Sequence, residues 1–104
     1  MYYKNMSRYE VYRTPEFDEW FEEERPKSRF QIEQRIKKIE DEGYFGNYKF
    51  LKDELWELKF NDGRRIYYVY IPENNVLLLL GGNKNGQDKD IAKAKNIYNK
   101  RKRF

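Results

Sequence analysis

Apolar residues recur along the chain with two periods, and the switches between them outline the elements. Tyr9 and Val11 alternate with charged neighbours from Arg8 to Arg13, which predicts a first strand. Phe17, Trp20 and Phe21 then form an i, i+3, i+4 stripe, the mark of an amphipathic helix. Thr14-Pro15 is a helix start, with a hydroxyl to cap free N–H groups and a proline suited to the first turn. Glu16 and Asp18 suit the positive end of that helix, and Arg25-Pro26 ends it. Ile32, Ile36 and Ile39 share one face of a second helix, from about Lys27 to Glu42, which Gly43 stops.

From Tyr48 onward the period shortens to two. Tyr48 to Leu51 reads as a short strand, and Trp56, Leu58 and Phe60 alternate inward, leaving Glu57 and Lys59 on the other sheet face. Asn61-Asp62-Gly63 is a turn that folds Arg65 to Tyr70 back as a hairpin. Pro72 closes that strand at a second turn, Ile71 to Asn75. Val76 to Leu80 is apolar on both faces, which predicts a central strand. Asp88 reads as the cap of a last helix with Ile91, Ala94 and Tyr98 inward. The order β-α-α-β-β-β-α predicts an α+β domain, an antiparallel-rich sheet with helices packed on one face. At 104 residues, the range 1–104 is expected to be a single domain.

Composition removes whole classes of chemistry. The chain has no cysteine and no histidine, which excludes disulfides, thiolate or Ser-His catalysis and zinc sites. The acids of Glu16 to Glu24 read as a solvated helix face, and Asp88 and Asp90 sit at a helix start. No metal and no cofactor is therefore expected. Val76 to Leu80 is far too short to span a bilayer, and Met1-Tyr2-Tyr3-Lys4-Asn5 has no apolar signal-peptide core behind it. A soluble, cytoplasmic protein without a membrane partner is the expectation.

Charge adds a direction. Lys84 to Phe104 contains eight Lys or Arg against two acids, whereas residues 1–83 carry a net −2. A molecule polarised in this way points one face at polyanions. Lys100-Arg101-Lys102-Arg103 alone reads as a frayed, solvated tail. Lys59, Arg64, Arg65 and Lys84 instead fall at strand ends and turns, where cations from neighbouring strands can converge on a phosphate.

Several of these segments carry a resemblance. Glu57-Leu58-Lys59, Arg65-Ile66-Tyr67-Tyr68 and Leu79-Leu80-Gly81-Gly82-Asn83-Lys84, followed by Gln87, Asp88, Asp90, Ile91 and Ala94, resemble motifs of the RelE/ParE toxin superfamily. The resemblance is nearest to its HigB-like group, the addiction module killer proteins, and runs from Thr14 to the last helix. Lys59 stands where that group has arginine, which keeps the charge but loses the bidentate fork. Arg64 replaces a tyrosine, and Asn83 an aspartate.

The resemblance implies a toxin of a type II toxin–antitoxin pair, held by a small antitoxin of the helix-turn-helix type. Relatives of the RelE kind cut mRNA on the ribosome, while ParE relatives inhibit DNA gyrase on the same fold, so fold alone does not choose between them. A ribosome-dependent, metal-independent mRNA endonuclease is the leading expectation, with ribosome and mRNA as partners. Arg65 is then the first choice for the phosphate clamp, with Lys84 and Lys59 beside it as catalytic candidates. It reads as a solvent-facing cation whose loss would change the fold's stability little. Arg64, Lys49 and Lys52 are candidates for RNA backbone contacts, although a charged loop explains the two lysines equally well. The general base stays open: a lysine base would need its pKa lowered from ~10.4 to ~8, and bound phosphate opposes that shift. The competing reading is that Lys59 and Arg65 are solvated or paired with Glu57 and Asp62.

Overall fold

The computed structural model describes residues 8–102; Met1 to Asn5 and Arg103 lie outside the described residues. The elements are β1 (Glu10–Arg13), α1 (Pro15–Glu22), α2 (Pro26–Glu42), β2 (Tyr48–Lys52), β3 (Leu55–Lys59), β4 (Arg64–Ile71), β5 (Asn75–Asn83) and α3 (Gln87–Arg101), the last preceded by a 3₁₀ turn at Lys84–Gly86. The sheet runs β1-β5-β4-β3-β2. β1 is parallel to β5, and the other pairs are antiparallel. β5 is central, as its doubly apolar sequence predicts, and the α+β expectation holds with a mixed five-stranded sheet.

The helices do not share one face. α1 and α2 bury Phe17, Phe21, Ile32, Ile36 and Ile39 against Leu58, Ile66, Tyr68, Val76 and Leu78. α3 buries Ala94 and Ile97 against Leu55, Tyr67, Val69, Leu79 and Leu80 on the other side. The reason is written in β4 and β5, whose successive residues are apolar in both directions: a sheet with two apolar faces needs cover on both. Ile97 is thus buried in the protein's own core rather than displayed to a partner.

Local signals account for the helix ends. The Thr14 hydroxyl accepts a hydrogen bond from the Phe17 amide at 3.0 Å and donates to the Leu79 carbonyl at 2.7 Å. One side chain thereby caps α1 and ties it to β5. Thr14→Ala is expected to destabilise the fold by about 2 kcal/mol, the lost cap plus a buried carbonyl left unpaired, and Thr14→Ser to recover most of it in thermal melts. Gly43 ends α2 in the left-handed region at φ 69°. Asp88 lies inside the first turn of α3 instead of capping it, because Asn83 takes the capping role one turn earlier, accepting from the Asn85 amide at 2.9 Å.

The acidic stretch and the basic end also differ from solvated charge. Asp18 pairs with Arg13 at 2.7 Å, Glu22 with Arg29 at 3.5 Å and Glu16 with Arg101 at 3.3 Å, so α1 neutralises arginines from β1, α2 and α3. Lys100 and Arg101 belong to α3 and are not a frayed tail.

Candidate functional site

The β3–β4 hairpin closes as expected: the Phe60 amide donates to the Arg64 carbonyl at 3.0 Å, and Gly63 adopts φ 96°. Register then aligns three strand ends. Lys59 lies opposite Arg65, Arg65 opposite Gly82, and Arg64 opposite Asn83. The Lys84 amide donates to the Gly63 carbonyl at 2.8 Å, which fastens the end of β5 to the hairpin turn. Lys59, Arg64, Arg65 and Lys84 are therefore brought to one end of the sheet. Lys49 lies opposite Glu57, one row further in, while Lys52 lies opposite Leu55 at the other end of β2 and stands apart.

The two glycines at the end of β5 are there for space. A Cβ on Gly81 would sit 2.2 Å from the Trp20 ring of α1, and one on Gly82 would sit 2.0 Å from the Asp90 carboxylate of α3. Each sheet face thus receives a side chain from the helix covering it. Asp90 lies over the strand where partial burial raises its pKa, against the opposing pull of Lys93 and Lys89.

Two of the four cations are not free. Arg64 pairs with both Glu24 and Asp62, whose charges outweigh partial burial and hold its pKa above the ordinary value. Those two carboxylates already engage the guanidinium expected to contact RNA backbone. Arg65 has only 12% of its side chain exposed and lies 3.4 Å from Glu57, which is fully buried. Its Nη1 also donates to the Arg64 carbonyl at 2.9 Å. It is a structural cation as well as a candidate clamp, contrary to the solvent-facing reading, because the Glu57 carboxylate and the Phe60 and Arg64 carbonyls engage it. Asp62, the other partner considered for it, is taken by Arg64. Lys59 and Lys84 make no ion pair among the described residues, and Lys84 is exposed.

Beneath α3 these residues join a polar cluster inside the second core. Gln87 Nε2 donates to Glu57 Oε2 at 2.5 Å. Glu57 Oε1 and the Tyr67 hydroxyl are buried without a hydrogen-bond partner. Burial first, then the nearby Glu57 and Asp90 charges, push the Tyr67 pKa far up, so this phenol stays neutral. Sequence reading placed Glu57 on the right face but missed its burial and its partner Gln87. Gln87 lies 30 residues away along the chain, and no local pattern around Glu57 marks the contact.

A family model, Phage derived protein Gp49-like (DUF891), matches residues 19–102. The chain belongs to this Gp49-like family. An uncharacterized protein of Haemophilus influenzae is 39% identical over 83 residues, which span 76% of this chain and 82% of that one. The fold of this Gp49-like protein is similar to that of the E. coli RelE toxin. Against the intact RelBE toxin–antitoxin complex the TM-score is 0.61 at 15% identity, covering 72% of this chain and 95% of that one. Against the isolated RelE toxin it is 0.58 at 14% identity, covering 82% and 97%. Among the described residues of this Gp49-like chain, no helix is long and apolar enough to cross a membrane.

Proposed function

We propose that this Gp49-like protein is the toxin of a type II toxin–antitoxin pair and acts as a ribosome-dependent, metal-independent mRNA endonuclease. The observation that supports the reading is the gathering of Lys59 from β3, Arg65 from β4 and Lys84 from the turn after β5 at one end of the sheet. The HigB-like motifs that include Gly81-Gly82 and Gln87 belong to the same reading, since the glycines admit Trp20 and Asp90 and Gln87 holds Glu57. A cognate antitoxin is the partner, as in the RelBE complex whose toxin has this fold.

In the reaction the 2′-oxygen loses its proton and bonds to phosphorus, the bond from phosphorus to the 5′-oxygen breaks and that oxygen takes up a proton; the phosphorane between them needs its charge stabilised. Arg65 is held by Glu57 and by a backbone carbonyl, so its guanidinium is oriented before substrate arrives. Lys84 and Lys59, unpaired among the described residues, supply mobile positive charge beside it. Induced alone, the protein is expected to arrest growth and leave truncated translated messages. Lys84→Ala should reduce cleavage by about 10²–10³ while leaving thermal melting unchanged, because an exposed cation contributes little to stability.

The engagement of Arg65 by Glu57 favours one second reading, a non-enzymatic toxin that poisons gyrase. Intact messages together with gyrase-linked DNA breaks would decide for it.

A further inference from the structure

A groove of about 690 Å³ runs between α2 and the β3–β4 hairpin, on the sheet face opposite the Glu57 cluster. Its lining includes Arg25, Lys27, Arg35 and Lys38, none of which makes an ion pair among the described residues. The single acid of its wall, Asp62, is taken by Arg64. Arg13, Arg29, Arg64, Arg65 and Arg101 each pair with a carboxylate, whereas the two arginines Arg25 and Arg35 of this groove do not.

Two further features point the same way. The N-terminus of α2 opens into the groove with Arg25 as its cap residue, no side-chain capping bond and no acid in its first turn, unlike α1 with Glu16 and Asp18. Cations at the positive end of a helix repel it unless an anion lies between them. At the floor, Arg35 is half-buried, donating to the Phe45 carbonyl at 3.1 Å and the Lys59 carbonyl at 3.0 Å and lying 4.2 Å from the Phe60 ring centroid. Gly46 makes room for it, at φ 72° with a Cβ position 3.2 Å from the guanidinium. Burial without a carboxylate lowers the Arg35 pKa. The rims carry two unburied aromatics, Phe30 at 64% and Tyr44 at 56% exposure.

We infer that this groove binds a single-stranded polynucleotide, whose phosphates lie along Arg25, Lys27 and Lys38 and whose unpaired bases stack on Phe30 and Tyr44. Charge along a track with aromatic platforms beside it is how sequence-tolerant single-strand binding is built. A protein partner fits the two lysines less well, since lysine is depleted at the centres of protein interfaces. Asp62 and Arg64 line both this groove and the smaller pocket around Lys84, so a strand in the groove reaches the sheet-end cations around the hairpin turn. The inference rests on the reading of the protein as directed at RNA and adds where the strand is held.

The test is fluorescence anisotropy with a fluorescein-labelled oligouridylate at a series of salt concentrations, using no ribosome and no cleavage. Lys27→Glu/Lys38→Glu is compared with Lys93→Glu/Lys100→Glu, an equal charge change on α3. The groove variant is expected to lose at least about tenfold in affinity and to flatten the log–log salt slope by about 0.7 for each lost phosphate contact. The α3 variant should stay near wild type, and both should melt like wild type. Phe30→Ala should weaken binding by roughly 5- to 150-fold with the salt slope unchanged. A folded rRNA fragment of equal length that binds no more tightly than the oligouridylate supports a single strand as the occupant; tighter binding of the fold overturns it. Equal losses in the two charge variants would mean general attraction and overturn the groove. Retained RNA affinity in the groove variant, with loss of a co-expressed antitoxin, would assign the groove to protein. Binding as expected alongside intact messages in cells would leave the groove standing and remove the nuclease reading.

Discussion

Arg65→Ala is expected to unfold far below the wild type. The substitution leaves Glu57, a fully buried carboxylate, without its cation, and Gln87 satisfies only one of its two oxygens. Removing one partner of a buried pair costs about 3–5 kcal/mol, because the remaining charge has lost its solvent and gained nothing in return. For a domain of this size that corresponds to a fall in Tm on the order of 15 °C. Loss of activity in this variant alone therefore does not separate a catalytic arginine from a structural one. The double substitution Glu57→Gln/Arg65→Met removes the pair together, and is expected to restore most of the melting temperature while leaving cleavage absent. A wild-type melt for Arg65→Ala would show that the pair is not a stabilising element. Restored activity in the double variant would remove Arg65 from the site.

The adjacent glycines should fail in different ways. In Gly81→Ala the new methyl meets the Trp20 ring at 2.2 Å, and this partly buried, rigid ring must move as a whole to make room. Overpacking of this kind costs about 1–3 kcal/mol, read as a fall in Tm of roughly 4–12 °C. In Gly82→Ala the methyl meets the far end of Asp90 at 2.0 Å, a carboxylate that can swing aside. Stability should change less than in Gly81→Ala. Because Asp90 lies in the first turn of α3, near Gln87, its displacement should instead lower activity, on the proposed reading, at near-normal stability. Truncating the clashing partner supplies the control: Gly81→Ala with Trp20→Ala should recover part of the overpacking loss, and Gly82→Ala with Asp90→Ala should be no less stable than Asp90→Ala alone. Equal melting of Gly81→Ala and wild type would mean that Trp20 does not pack against β5.

These variants probe features of unequal legibility. Helix α1 was readable because its cap, its proline and its apolar stripe lie within eight residues, and such periodicity acts through neighbours along the chain. The same holds for the stop at Gly43, the hairpin at Asn61-Asp62-Gly63 and the central place of β5. Those were properties of the sequence by itself, as were the exclusion of histidine and cysteine chemistry and the cations at the strand ends.

Tertiary structure alone decided which charges are free. Arg64 meets Glu24 from 40 residues away, Gln87 meets Glu57 from 30, and Arg101 meets Glu16 from 85. Sequence pattern put all helices on one face, whereas α3 covers the other, and with that side go the burial of Glu57 and the low exposure of Arg65. The physical reason is common to all of them. Periodicity records which face of an element avoids water, but the partner of a charge and its access to solvent depend on chain segments that meet only when the sheet has closed. The sequence specified the cations, and the packing of α1 and α3 determined which were neutralised and which remained available to an anion.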